Sequence, residues 1–435
     1  MIIEKTIKRQ VALQYILLLL SKLAMEYAYI KVLTIDKVTY PLAVNVIKYI
    51  YGIICLSIIF FLIPHGEKRP STFLMYFFIV LNIIPMTIIY ALQDESTIYY
   101  TCICIGIMLC EVLVRKIKPI YIDIKIRYID KIFVALFIFL LVFFLLYVYR
   151  HNGLPSLIAL NLYDVYELRS SGAYQLSKYM RYIQSLLTSV IIPILLAVFM
   201  TKKKYVISAI IYVIEIILYL YEGQKSFLFM GIMVILIVGW ASRKKFEKEF
   251  WPMFMGGVAI VSFGADKKII YNLYMLFIRR ILIVSANNKY KYFDFFSSHP
   301  KEGWARIFPR WMVPIDSNYG LGYPDGYTYQ IAKIYYNEPL MDCNTGFLAE
   351  GYMRWGFIGL FISMVILALV LKMVDGMAQK TSYQLALGCS VVTIFGLSDG
   401  YLISNILLGN LTVWILFILL YKEKDKDKLC VESQE

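Results

Sequence analysis

The 435-residue chain is 60% apolar and 17% charged, with a mean hydropathy of +0.66, which excludes a soluble domain that covers itself with polar surface. Its formal charge of +14 sits in short runs between apolar blocks, such as Lys202-Lys203-Lys204 and Arg243-Lys244-Lys245. That placement fits anchoring on a cytoplasmic leaflet and speaks against nucleic acid as a partner.

The apolar blocks are near the length a helix needs to cross the hydrocarbon core. In chain order they predict spans at about 11–30, 43–63, 72–91, 98–113, 132–149, 183–200, 205–221, 226–241, 249–264, 346–371, 383–398 and 403–421. The first follows a basic start without a persuasive small-residue cleavage site, so it reads as a retained span. Direction follows from Lys and Arg. Alternate connections carry Lys68 and Arg69, then Arg115 to Arg127, Lys202 to Lys204, Arg243 to Lys248, and Lys372 with Lys380. The intervening connections hold few cations, and the tail has Lys422, Lys424, Lys426 and Lys428. Both termini are therefore expected in the cytoplasm.

The expected fold is all-α, a polytopic bundle of about twelve spans forming one transmembrane domain over 1–435. Two long connections, 150–182 and 265–345, fall outside and form a cap. The second begins with an amphipathic segment, Lys268 to Ala286. The Arg279-Arg280 pair places it in the membrane interface, because two charges mid-segment are costly in lipid. No internal repeat relates the halves. Seven scattered cysteines and three distant histidines indicate neither a disulfide framework nor a metal site.

Chemistry is expected where polar groups meet the outer leaflet. Arg169, in Tyr163 to Gly172, offers a rigid fork suited to phosphate oxygens; its plainer role is interfacial snorkelling. Lys225, in Tyr221-Glu222-Gly223-Gln224-Lys225-Ser226, has the same two readings. The second loop supplies Asp294, His299, Arg306, Arg310, Asp316, Asp325 and Asp342; any carboxylate or His among them is a candidate base, though most acidic loop residues are simply solvated. Glu350 and Arg354 stand four apart on one helix face, suited to an ion pair that fixes packing or to a site facing the bundle interior. Gly351, Gly356 and Gly359 admit a close helix neighbour.

This pattern resembles the Wzy-type family of O-antigen, capsular and related oligosaccharide repeat-unit polymerases. The likeness covers most of the chain in layout and rests in motif on Arg169, on Gly223, Lys225 and Ser226, and on Gly346, Glu350, Gly356 and Gly359. Lys225 stands where Arg is more usual. Some members carry an Arg followed ten residues later by Gly, a spacing not found at Arg169, Arg279, Arg280 or Arg306.

The resemblance implies a GT-C-like fold in the bacterial cytoplasmic (inner) membrane and a glycosyltransferase that needs neither metal nor cofactor. A glycan would leave its polyprenyl (undecaprenyl) diphosphate and join a hydroxyl of the next lipid-linked repeat unit. Donor and acceptor oligosaccharides, membrane lipids and a chain-length regulator are the implied partners. Arg169, Lys225, Arg280 and Arg354 are then the diphosphate-binding candidates, and Glu350, Asp294 and His299 the candidate bases. Three other readings stay open: an O-antigen ligase, a flippase or transporter of lipid-linked oligosaccharide, the latter for Lys22, Glu26 and Lys48 in the first two spans, and a non-catalytic assembly subunit.

Overall fold

The computed structural model describes residues 2–65, 68–122, 128–155, 176–243, 245–304, 327–339, 341–408 and 410–422. Among them every regular element is helical. In chain order these are α1 (Ile2–Val32), α2 (Val46–Leu62), α3 (Pro70–Leu92), α4 (Thr97–Lys116), α5 (Ile129–Asn152) and α6 (Tyr179–Thr201). There follow α7 (Tyr205–Glu222), α8 (Lys225–Ala241), α9 (Phe246–Phe263), α10 (Lys268–Ser298) and α11 (Tyr327–Tyr336). Then come α12 (347–354), α13 (357–380), α14 (Tyr383–Gly396), α15 (Ile403–Leu408) and α16 (Asn410–Leu420).

Six helical stretches among the described residues are long and apolar enough to cross a membrane: α3, α4, α5, α6, α10 and Phe347–Lys380. α2, α14, α16 and most of α7 and α8 are apolar but shorter. These helices mark a membrane protein. Pro85 and Pro193 lack an N–H and their rings press on the preceding turn. Just before each, Ile79–Ile83 and Leu187–Ile191 are wound as π-helix, a wider turn that lets α3 and α6 continue through the proline.

Met1–Lys118, Lys245–Leu371 and Leu397–Leu408 form one compact unit. Within it α1 lies along α9, with Ser21 Oγ donating to the Met255 carbonyl at 3.0 Å. Trp251 of α9 packs on Phe73 and Tyr76 of α3, ring centroids 4.8 and 4.3 Å away. Tyr90 and Tyr100 stack at 4.2 Å and 8°. Lys22 pairs with Glu26 one turn later, and Tyr49 donates to the same carboxylate at 3.2 Å.

Between α3 and α4, the Asp94 carboxylate meets Lys48 Nζ at 2.7 Å and Asn45 Nδ2 at 2.8 Å. Hydrogen bonds from Lys48 and Asn45, with the lysine's charge, hold this carboxyl below its ordinary 3.8. A depressed carboxylate adds stability that is complete above the unfolded-state value and disappears as the pH falls through the folded one. Asp94→Asn is therefore expected to flatten the loss of stability below about pH 4, followed by tryptophan fluorescence in detergent. Superimposable acid curves for wild type and variant would count against the pairing.

Pro119–Lys244, Lys372–Gly396 and Gly409–Glu435 form a second compact unit. Here α7 ends at Gly223, whose φ of +68° allows the abrupt turn into α8. α14 presses Gly388 against Val238 of α8 and Ala197 of α6, and Trp414 of α16 donates to the Cys389 carbonyl at 2.7 Å.

Two elements differ from their expected form. The predicted span 346–371 is not one rod. Trp355 (φ −136°, ψ 26°) and Gly356 (φ 64°, ψ −145°) break it, and α12 folds back on α13. A Cβ on Gly351 would lie 2.7 Å from both the Gly359 carbonyl oxygen and Ser363 Oγ. In a straight helix, residues eight apart stand roughly 12 Å away along the axis. The second difference is α10, which runs unbroken past Ala286 to Ser298 and is long and apolar enough to cross a membrane. Its Arg279-Arg280 pair lies within a π-helical stretch, Tyr274–Ile283.

Candidate functional site

The reversal at 355–356 organises a buried polar constellation among the described residues of the first unit. Glu350 is fully buried at 0% exposure and Arg354 nearly so at 2%. Four residues apart on α12, they meet as Arg354 Nε and Glu350 Oε1 at 3.0 Å. Glu350 Oε2 accepts the backbone N–H groups of Leu402 and Ile403 at 2.6 and 3.0 Å, at the start of α15. Arg354 also donates to the Gly303 carbonyl at 3.0 Å. A carboxylate holding three donors away from solvent frames the fold; it is poorly placed to take a substrate proton.

Residues 301–304 lie across this hairpin. Glu302 and Gly303 donate their backbone N–H groups to the Met353 and Arg354 carbonyls, both at 3.0 Å, which closes the open end of α12. Lys301 Nζ sits 4.3 Å over the Tyr352 ring and donates to the Phe296 carbonyl. Burial lowers the pKa of this ammonium from its ordinary 10.5. Trp304 is 51% exposed and meets Trp355 edge-on at 4.8 Å. Gly356 has open space on its Cβ side, bounded by the Lys301 chain.

His299 is exposed, its ring stacked on Phe295 at 4.0 Å and 6°. Its Nδ1 lies 2.8 Å from the Phe295 carbonyl. A carbonyl only accepts, so Nδ1 carries the hydrogen and Nε2 keeps the basic lone pair in the neutral ring. Asp294 is also exposed and accepts from the Tyr335 hydroxyl at 2.6 Å. Burial and this bond raise the Tyr335 pKa above its ordinary 10.0.

A second layer is built from asparagine and tyrosine. Asn287 and Asn288 of α10 bond the Tyr336 hydroxyl at 3.0 and 2.7 Å. Asn288 also donates to the Asn344 carbonyl at 2.7 Å, and Tyr292 to the Cys343 carbonyl at 2.7 Å. Lys289, buried completely, donates to the Ser285 carbonyl at 3.2 Å, Ser285 Oγ at 2.6 Å and the Ser398 carbonyl at 3.0 Å. Burial pushes the Cys343 thiol up to about 12, with Asp342 adding to the shift and Arg280 opposing it. Arg280 is itself exposed, and Arg279 rests 5.5 Å over the Tyr40 ring.

Of the residues singled out in sequence, Glu350 and Arg354 come together, and His299 stands at the end of α10, two residues before the segment 301–304 that crosses their hairpin. Asp294 and Arg280 stand on α10 in the same unit. Lys225 opens α8 in the second unit. Arg169, Arg306, Arg310, Asp316 and Asp325 lie outside the described residues. Sequence reasoning missed Lys301, Trp304 and Lys289. Lys301 follows Pro300 directly after α10, and a cation at such a stop had one usable signal, its place beside the proline that ends the helix. The chain matches no protein-family model, no curated protein and no solved structure.

Proposed function

We propose that this chain polymerises polyprenyl-diphosphate-linked oligosaccharide repeat units at the outer face of the bacterial cytoplasmic membrane. On this reading it is a GT-C-like glycosyltransferase crossing the bilayer about twelve times, with both termini cytoplasmic. The observation that carries the reading is the hairpin crossed by residues 301–304, where a half-buried ammonium and two tryptophans gather, with an oriented imidazole two residues earlier at the end of α10. Glycosyl transfer from a lipid diphosphate asks for those groups. A base must take the acceptor hydroxyl's proton, a cation must meet charge building on the leaving diphosphate, and aromatic faces suit sugar rings.

His299 Nε2 is the proposed base and Lys301 a proposed cation, with Arg280 exposed nearer the middle of α10. Asp294, Arg169 and Lys225 remain candidates for the same two roles. Glu350 and Arg354 hold the hairpin. In a strain lacking the chain, single lipid-linked repeats should accumulate. Wild type should restore long glycan, and His299→Ala at equal membrane abundance should restore little. Full-length glycan with His299→Ala would remove that residue from the mechanism, and growth of glycan without the chain would remove the proposal.

One observation favours a second reading, transport of lipid-linked oligosaccharide: transporters bind at broken helices, and α12–α13 is one. Purified protein given donor and acceptor repeat units in detergent separates the two. Chain growth without a sealed membrane supports polymerisation; translocation in vesicles with no growth supports transport.

A further inference from the structure

Away from the hairpin, the second unit holds a carboxyl that the proposed chemistry does not use. Glu215 lies on α7, ten residues after Tyr205 and seven before Glu222, so roughly 15 and 10 Å from the helix ends. It takes its place in the inward stripe Ser208, Ile211, Glu215 and Leu218, and its exposure is 0%. Neither oxygen completes a hydrogen bond of ordinary geometry among the described residues, the Gly231 backbone N–H being the donor beside the carboxyl, and no cation pairs with it there.

An independent feature marks the same point. Gly231 of α8 stands six residues beyond the shared turn, level with Glu215, and the glutamate carboxyl fills the space that a side chain at 231 would take. Tyr212, one turn before Glu215, closes the notch from the side and donates to the Leu228 carbonyl at 3.3 Å. A glycine notch shaped around an acid, at the depth of a membrane crossing, is a built site. An ionised carboxylate there would stand in lipid-like surroundings with only the Gly231 backbone N–H beside it and no counter-ion among the described residues, whereas the neutral acid fits.

We propose that Glu215 is an intramembrane proton site, its ligand the proton and its form in the bilayer the carboxylic acid. This rests on α7 and α8 being membrane crossings and not on polymerase chemistry. Such an acid has a diagnostic reaction with a hydrophobic carbodiimide. The carboxyl oxygen bonds to the central carbon of the reagent and its proton passes to one nitrogen. The acyl group then migrates to nitrogen as a stable N-acylurea, with nothing lost from either partner.

The test treats membranes holding the full chain with dicyclohexylcarbodiimide and maps adducts by peptide mass. The expected result is an adduct on Glu215 in wild type, absent from Glu215→Gln. A water-soluble carbodiimide should leave Glu215 unmodified while it labels exposed acids such as Asp294. No adduct on Glu215, or equal labelling by both reagents, would overturn the proposal. The principal readout is on wild-type protein, so a variant that folds poorly does not blur it. Glycan length in the same cells reports separately on polymerisation, so the failure of one reading is visible without the other.

Discussion

Glu350→Ala is expected to cost about 3–5 kcal/mol of stability, the range for removing one member of a buried ion pair. The loss has two parts. Arg354, 2% exposed, keeps its charge and its bond to the Gly303 carbonyl but loses the carboxylate that faces its Nε. The Leu402 and Ile403 N–H groups lose the oxygen that both share, and buried donors left open are themselves costly. Thermal unfolding of the purified protein in detergent measures the effect. The double variant Glu350→Leu with Arg354→Met should recover most of it, because an apolar pair of similar volume replaces a buried ion pair at little net cost. If Glu350 instead served as the catalytic base, Glu350→Ala would stay stable while chain growth stopped, and that outcome would reverse the roles assigned here.

The second large effect is expected at Gly359. A Cβ there would run into the Gly351 carbonyl and also press on Trp355 Cβ at 3.2 Å. Gly351 has no more room, since its own Cβ would meet Leu360 Cα at 2.8 Å. Backbone is the obstacle on both sides, so no rotamer change relieves the clash. Gly359→Ala should cost about 1–3 kcal/mol by overpacking, and Gly359→Leu should abolish folded protein. Gly356→Ala is a useful contrast. Space is open around that Cβ, but φ 64° with ψ −145° is a conformation reserved for glycine, so the penalty there is backbone strain of about 1–3 kcal/mol. Monodispersity on size exclusion together with the melting temperature distinguishes these outcomes. A Gly359→Leu protein that melts like wild type would mean that α12 does not fold back on α13.

Much of this was readable from residue order. Apolar blocks locate the helices because a membrane crossing leaves few polar positions to choose among. The Glu350–Arg354 pair follows from four-residue spacing, and Gly351 and Gly359 make the close approach expected of them, whereas Gly356 instead supplies the turn. What periodicity does not carry is direction after Gly356. A stretch such as Glu-Gly-Tyr-Met-Arg-Trp-Gly-Phe-Ile-Gly reads alike whether the helix continues or turns back, and the answer depends on two dihedral angles. Lys289 was invisible for another reason. It sits in the polar run Asn-Asn-Lys-Tyr-Lys, which reads as solvated loop, yet its Ser398 acceptor arrives from 109 residues along the chain. The tail of α10 was hidden in the same way, because asparagine and tyrosine that bond one another look like surface until their partners are known.

The order of the two units along the chain has a consequence for how the protein is made. The first unit needs Leu397–Leu408 to complete it, and the second needs Lys372–Gly396 and the segment from Gly409 onward. Their parts alternate, and α13 belongs to both. During synthesis, neither unit has all its helices until the closing stretch leaves the ribosome. Until then Glu350 waits without the Leu402 and Ile403 amides, and Lys289 without the Ser398 carbonyl. The nascent chain must hold buried charges and unpaired helices in a state that only its last segments resolve, so premature termination after α14 would leave both units open, not one finished and one missing.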